Sequence, residues 1–212
     1  MKFKTLVSVC IPTLGRPEKL RRLLQSIKDN AGWDNYEIIV KEDEMPPNNV
    51  GAPTILKRCV DEAKGDLIMF LGNDCIMQPN CIREAVFIMK RFFPDMDGMV
   101  GLNDEYWRGD LGHVSPHWLA SKKLLPDLGG AFFDTDFYHT GVDNLLQARC
   151  EKWKKYVWCE RAKILHDHPM IYNYTRENDV IYEQAYTGPR HDHDDELYAR
   201  RMKELGLEDR KF

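Results

Sequence analysis

Residues 69–79 read MFLGNDCIMQP, and the fold turns on how they are taken. The apolar run Leu67–Leu71 stops at Gly72 and gives way at once to Asn73 and Asp74. Three more residues of mixed apolar character follow, then Gln78 and Pro79. Taken alone, a Gly-Asn-Asp triplet is a solvated turn, because these residues tolerate turn geometry and hydrogen-bond their own backbone. At the tip of a buried parallel strand, however, the same carboxylate stands where α/β sheets bind ligands. The surrounding chain decides between the two.

Outward from that stretch, apolar strands alternate with amphipathic helices. Leu6–Ile11 reads as a first buried strand. Pro17 follows at a helix's first position, with Leu20, Leu23, Leu24 and Ile27 at helical spacing as far as Gly32. Glu37–Val40 is a second strand, running into the acidic KEDE at 41–44 and a loop through Pro46, Pro47 and Gly51. A helix over about 53–64 places Ile55, Leu56, Cys59, Val60 and Ala63 on one side and stops at Gly65. After the strand Leu67–Leu71 come a helix from Pro79 to Phe92 and a strand Gly98–Leu102. This alternation predicts an α/β fold with a Rossmann-like, mostly parallel central sheet flanked by helices. Residues 103–140, rich in Trp, His, Gly and Pro, break the rhythm and read as functional loop or lid. Regularity returns with a helix from Asp143 to Trp153, two short strands in YVWCE (156–160) and AKILH (162–166), and a last helix capped by Asp192 or Asp194 and stopped at Gly206.

The 212 residues suit a single domain; 43% are hydrophobic and 30% charged, ordinary for a soluble protein with a sizeable core. A net charge of −4 offers no basic surface for nucleic acid. The N-terminal apolar run is too short for a signal segment, and no stretch reaches membrane-spanning length. The six cysteines form no CxxC pair, which predicts reduced core thiols and a cytoplasmic protein.

Three strand ends carry polar groups: Pro12-Thr13-Leu-Gly-Arg16 after the first, Glu42-Asp43-Glu44 after the second, and Gly72-Asn73-Asp74 after the third. No GxGxxG and no P-loop pattern follows any strand. The ordered set VSVCIPTLGRPEKLRRLLQSI (7–27), EIIVKEDE (37–44), AKGDLIMFLGNDCIMQP (63–79), GVDNLLQAR (141–149) and AKILHDHP (162–169) resembles glycosyltransferase family 2, of the A-type nucleotide-sugar glycosyltransferase (GT-A) fold.

That resemblance implies roles for particular residues. Asp74 corresponds to the last acid of a DxD-type motif that holds a divalent cation, Mn²⁺ or Mg²⁺; Gly72 stands where the first acid is expected, and Asn73 keeps hydrogen-bonding capacity toward a ribose. Asp43 corresponds to the residue that accepts from the nucleotide base, with Thr13 beside it and Pro12 fixing the loop. Arg16 either touches phosphate or starts the helix. Asp143, with Arg149 six residues on, corresponds to the catalytic base, although an isolated GVDN reads as a helix N-cap. His166, with His168 as the alternative, corresponds to a metal or diphosphate ligand.

The RHDHDDE at 190–196 fits no zinc spacing and reads as a solvated helix entry, with an acceptor-side lid as the alternative. Trp107 and Trp118 either stack on sugar faces or pack a lid, Gly129-Gly130 is a close approach or a turn, and His113, His117 and His139 cannot be ranked. The implied activity is metal-dependent, inverting transfer from a nucleoside-diphosphate sugar, a UDP-sugar, to a carbohydrate or other hydroxyl acceptor. Residues 5–102 would bind the donor and 103–169 the acceptor, with 170–212 a C-terminal helical extension. The rivals are a catalytically idle nucleotide-sugar binder and a nucleotidyltransferase of the same fold.

Overall fold

A computed structural model describes residues 5–46, 48–105, 114–168 and 187–208. Trp107 and His113 lie outside the described residues, as do 169–186 of the C-terminal extension.

The chain runs β1 (Val7–Thr13), α1 (Pro17–Asn30), β2 (Tyr36–Glu42), α2 (Ala52–Glu62), β3 (Leu67–Phe70), β4 (Cys75–Met77), α3 (Cys81–Phe92), β5 (Met99–Asn103), β6 (Trp118–Ser121), α4 (Val142–Lys152), β7 (Tyr156–His166) and α5 (Pro189–Glu204). The strands form one sheet in the order β2-β1-β3-β6-β5-β7-β4. β1 is parallel to β2 and β3, and β5 to β7, while β6 is antiparallel to β3 and β5 and β4 is antiparallel to β7. Five strands therefore share one direction, and β4 and β6 oppose it.

The core sits on both faces of this sheet, because side chains alternate along each strand. Val7, Val9 and Ile11 of β1, with Leu67, Met69, Val100 and Leu119, pack on Leu23 and Ile27 of α1 and on Ile82, Val86 and Met89 of α3. Cys10, Ile68, Met99, Trp118 and Ala120 point the other way, against Leu56 and Cys59 of α2, Leu145 and Leu146 of α4, and Leu197 and Met202 of α5. Every residue of β1 is buried for this reason.

Two departures from the sequence reading bear on the site. Trp118, taken from the sequence as a lid or stacking residue, is fully buried at the start of β6, a strand that weak periodicity had hidden inside 103–140. The two short strands read in 156–166 are one, β7, with a register shift between Leu102 and Asn103 of its partner.

Candidate functional site

Five strand ends meet at one place, and register explains why. β3 ends at Phe70, so its continuation carries Asn73 and Asp74 past the edge of the sheet. β6 runs antiparallel to β3 with Trp118 opposite Phe70, which sets His117 beside that same edge. β4 and β7 are antiparallel with Cys75 opposite His166, and opposed residues in such a pair project to the same face. The Asp167 amide donates to the Asp74 carbonyl at 2.8 Å, fixing the two segments together. β1 ends alongside, where the Asn73 amide donates to Thr13 Oγ1 at 2.7 Å. Pro12 lies past Cys10, the last β1 residue paired with β3, so its missing N–H leaves no gap on that side.

The buried Asp74 is the hub. Arg16 Nη1 reaches its Oδ2 at 3.4 Å, and His166 Nε2 approaches its Oδ1 at 3.6 Å. Burial alone would raise the Asp74 pKa, but the His166 proton and the Arg16 charge overcome it and hold the carboxyl well below the usual range. His166 Nδ1 faces the buried Asp104 at 3.8 Å. Burial opposes the charged imidazole, yet the two flanking carboxylates raise the His166 pKa to about 9. His117 Nε2 meets Cys75 Sγ at 3.1 Å, its ring edge-on to His166 with centroids 4.5 Å apart. The Cys75 thiol is pushed well above its ordinary pKa by burial and by the Asp74 and Asp104 charges.

The predicted positions fall in different places. Arg16 starts the helix, its carbonyl receiving the Leu20 amide at 3.0 Å to open α1, and its guanidinium lies on Asp74. His168 sits against the His166 ring with centroids 5.0 Å apart, and burial followed by the His166 charge lowers its pKa to about 4. The Asp43 carboxylate accepts from the backbone amides of Glu44, Val50 and Gly51 at 2.8–3.0 Å, so it shapes the 43–51 loop. Gly51 closes that loop at φ +94°, and a Cβ there would strike the Tyr138 carbonyl. Asp143 is half-buried in the first turn of α4, where Gly141 takes the N-cap. Desolvation lowers the pKa of His139, with the Asp143 and Asp74 charges opposing that shift and the Arg16 charge adding to it. Arg149 faces elsewhere, lining a surface pocket with Asp134, Arg201 and Glu204. Gly129-Gly130 forms a turn, with nothing within 4 Å of either Cβ position.

Sequence reasoning missed four residues. His117 and Cys75 join the cluster, Asp104 backs His166, and Asp194 carries the approach to α4. Asp194, read as part of a solvated helix entry, is 1% exposed and accepts from the Tyr138, His139 and Thr140 amides at 2.7–2.9 Å. Gly188, not an acidic residue, holds the N-cap of α5. The signal for Cys75 was its adjacency to Asp74; the other three come from distant segments that only the folded sheet brings near.

Gly72 has a steric cause. A Cβ at this position would lie 2.7 Å from Asp74 Oδ1 and 3.1 Å from His117 Nε2. A side chain where the motif's first acid was expected would have to displace the Asp74 carboxylate. One ligand atom each from Asp74, Cys75, His117 and His166 lies within 4.8 Å of the others, so the donors present suit a divalent cation.

Neither a protein-family model nor a curated protein matches the sequence. Solved structures do match the fold. Over 97% of this chain and 72% of the other, it superposes on the mannosyltransferase PcManGT from Pyrobaculum calidifontis, in complex with GDP-Man and Mn²⁺, with a TM-score of 0.64 and 14% identity. Against S. aureus TarS 1–349 in complex with UDP the TM-score is 0.63 and identity 14%, over 93% and 71% of the two chains. Glucosyl-3-phosphoglycerate synthase from Mycobacterium tuberculosis, with Mn²⁺, UDP and glucosyl-3-phosphoglycerate, gives 0.61 and 15% over 96% and 81%. Of a longer TarS chain the protein spans 43%. At these identities the likeness is one of fold: the chain has the GT-A fold. Among the described residues no helix is long and apolar enough to cross a membrane.

Proposed function

We propose that this protein is a metal-dependent, inverting glycosyltransferase, moving a sugar from a nucleoside diphosphate, a UDP-sugar, to an acceptor hydroxyl. One observation carries the reading: the buried Asp74 is held by Arg16 and His166 at the strand ends, and its charge and that of Asp143 in the first turn of α4 both act on His139. The fold and its nucleotide-sugar-bound neighbours support it.

In this reading residues 5–102 receive the donor. Pro12 and Thr13 with Asp43 border the base, and Asn73, tied to Thr13, faces the ribose. Asp74 and His166 hold the divalent cation, with His168 behind them. When bound, that cation supplies positive charge beside the departing diphosphate. Arg16 adds a second positive group at the same place. Residues 103–169 receive the acceptor, whose hydroxyl gives its proton to the Asp143 carboxylate. The new oxygen–carbon bond forms on one face of the sugar as the carbon–phosphate-oxygen bond breaks on the other, and the diphosphate leaves with the electron pair. All six cysteines are free and buried, which supports a cytoplasmic setting.

Hydrolysis of UDP- and GDP-hexoses with Mn²⁺, measured for the wild type and Asp143→Asn, tests this. Wild-type turnover should be lost in the variant while UDP binding persists. If both proteins bind UDP and neither releases sugar, the chain is a nucleotide-sugar binder; if it consumes a nucleoside triphosphate instead, it is a nucleotidyltransferase.

A further inference from the structure

We propose that Asp74, Cys75, His117 and His166 form a four-ligand site for a borderline transition-metal ion, zinc in class, which the protein retains without help from a nucleotide. The inference deepens the cation site of the preceding reading but is testable apart from it.

The donor set argues first. Magnesium and manganese favour oxygen ligands and complete their shells with water or substrate phosphate. Here three of the four protein donors are imidazole nitrogen and cysteine sulfur, which suit zinc, cobalt or iron. A single carboxylate is a poor anchor for a hard ion, whereas one carboxylate, two imidazoles and a thiolate make a full tetrahedron for zinc.

Spacing argues second. Metal–ligand bonds of about 2.0–2.3 Å place tetrahedral ligands roughly 3.3–3.8 Å from one another. The His166–Asp74 separation of 3.6 Å lies inside that range, and the Cys75–His117 separation of 3.1 Å lies just below it. No separation within the four exceeds 4.8 Å, so closure on an ion needs no more than about 1 Å of side-chain movement. The ligands arise from the β3–β4 turn and β4, the entry to β6 and the end of β7, all pinned by strand pairing.

Two surrounding features fit the same assignment. Asp104, itself 5% exposed, faces His166 Nδ1 while Nε2 points into the cluster, the arrangement by which an outer carboxylate orients a metal-bound imidazole. Gly72 leaves the space beside Asp74 Oδ1 to His117 Nε2, so an imidazole stands where a motif carboxylate would otherwise project. Nothing in the donor-binding reading calls for Cys75 or His117, and the metal assignment employs both.

The full chain, stripped with chelator and reloaded with Co²⁺, reports the coordination directly. The wild type should show tetrahedral visible absorption together with a sulfur-to-cobalt charge-transfer band, and Cys75→Ser should lose the latter. Equilibrium dialysis should show wild-type protein retaining Zn²⁺ without UDP. Cys75→Ser should weaken Zn²⁺ at least about tenfold and leave Mn²⁺ affinity unchanged, and Asp104→Asn should weaken Zn²⁺ by about 10–100-fold. Melting temperatures of both variants confirm folding, and the near-isosteric Cys75→Ser decides the question. Absence of the charge-transfer band, or wild-type Zn²⁺ affinity in Cys75→Ser, overturns the assignment. UDP titration in Mn²⁺ separates the two readings. UDP binding without thiolate-bound metal removes this proposal and keeps the donor site; thiolate-bound metal without UDP binding does the reverse.

Discussion

Restoring the apparent motif should damage the protein. Sequence logic alone would convert Gly72 to Asp to complete a DxD pair and tighten metal binding. The backbone at Gly72 has no positive φ, so any penalty must come from the side chain's surroundings. Its Cβ would begin 2.7 Å from Asp74 Oδ1, and ordinary contact starts near 3.4 Å, so that oxygen must retreat by about 0.7 Å. It has little freedom to do so. The other Asp74 oxygen is engaged by Arg16, and the Asp74 carbonyl is tied to the Asp167 amide. Overfilling a packed site of this kind costs about 1–3 kcal/mol. Gly72→Ala should therefore melt roughly 2–12 °C below wild type, at about 2–4 °C per kcal/mol for a chain this size. Gly72→Asp adds a carboxylate beside Asp74, a repulsion of up to about 4 kcal/mol at roughly 4 Å, and should melt lower still in chelator. Thermal denaturation of the three proteins in chelator, with Mn²⁺ dialysis alongside, is the assay. Gly72→Ala melting with the wild type, or Gly72→Asp binding Mn²⁺ more tightly, would refute the steric account.

Three further outcomes follow from other parts of the structure. Asp194→Ala removes the acceptor of three backbone amides and the Thr140 hydroxyl; we expect a loss of about 3 kcal/mol in urea denaturation, with Asp194→Asn keeping about half, and a fall in sugar-transfer rate because the segment leading to Asp143 loosens. In chelator, His166 carries a pKa of about 9 against an ordinary 6.5. The stability it lends is complete below pH 6.5 and lost as pH rises to 9, up to about 3 kcal/mol; comparing unfolding at pH 6 and 9.5, His166→Gln should flatten that decline. All six thiols are buried, so none should react with a thiol reagent within minutes until denaturant is added, and rapid titration of even one in the native protein would contradict the packing.

How much of this was legible beforehand depends on whether a feature is local or assembled. β1, α1, α2, β3 and α3 were readable because their apolar spacing repeats within one segment, and burial on both faces of the sheet leaves a continuous hydrophobic run. β6 was not, because four residues give too short a pattern to stand out, and its buried Trp118 resembles a binding aromatic in sequence. The same limit governs the site. Motif order pointed to Asp74 and His166, whereas His117, Asp104 and Asp194 take their places only by register across the sheet or by packing against a distant loop. Asp194 is the sharpest case. Its setting of Asp and His residues at a helix start predicts exposure, since charged groups there are solvated and favoured by the dipole. Burial of that one carboxylate is sustained by three amides from a loop more than fifty residues away in sequence. Gly72 makes the complementary point. Read as a motif with a part missing, it suggests a weakened site; read in the fold, it is the condition for His117 to reach Asp74 and Cys75. In the proposed metal site, the ligand missing from the motif and the one His117 supplies are one feature, and substitutions at 72 and 117 should be coupled rather than additive.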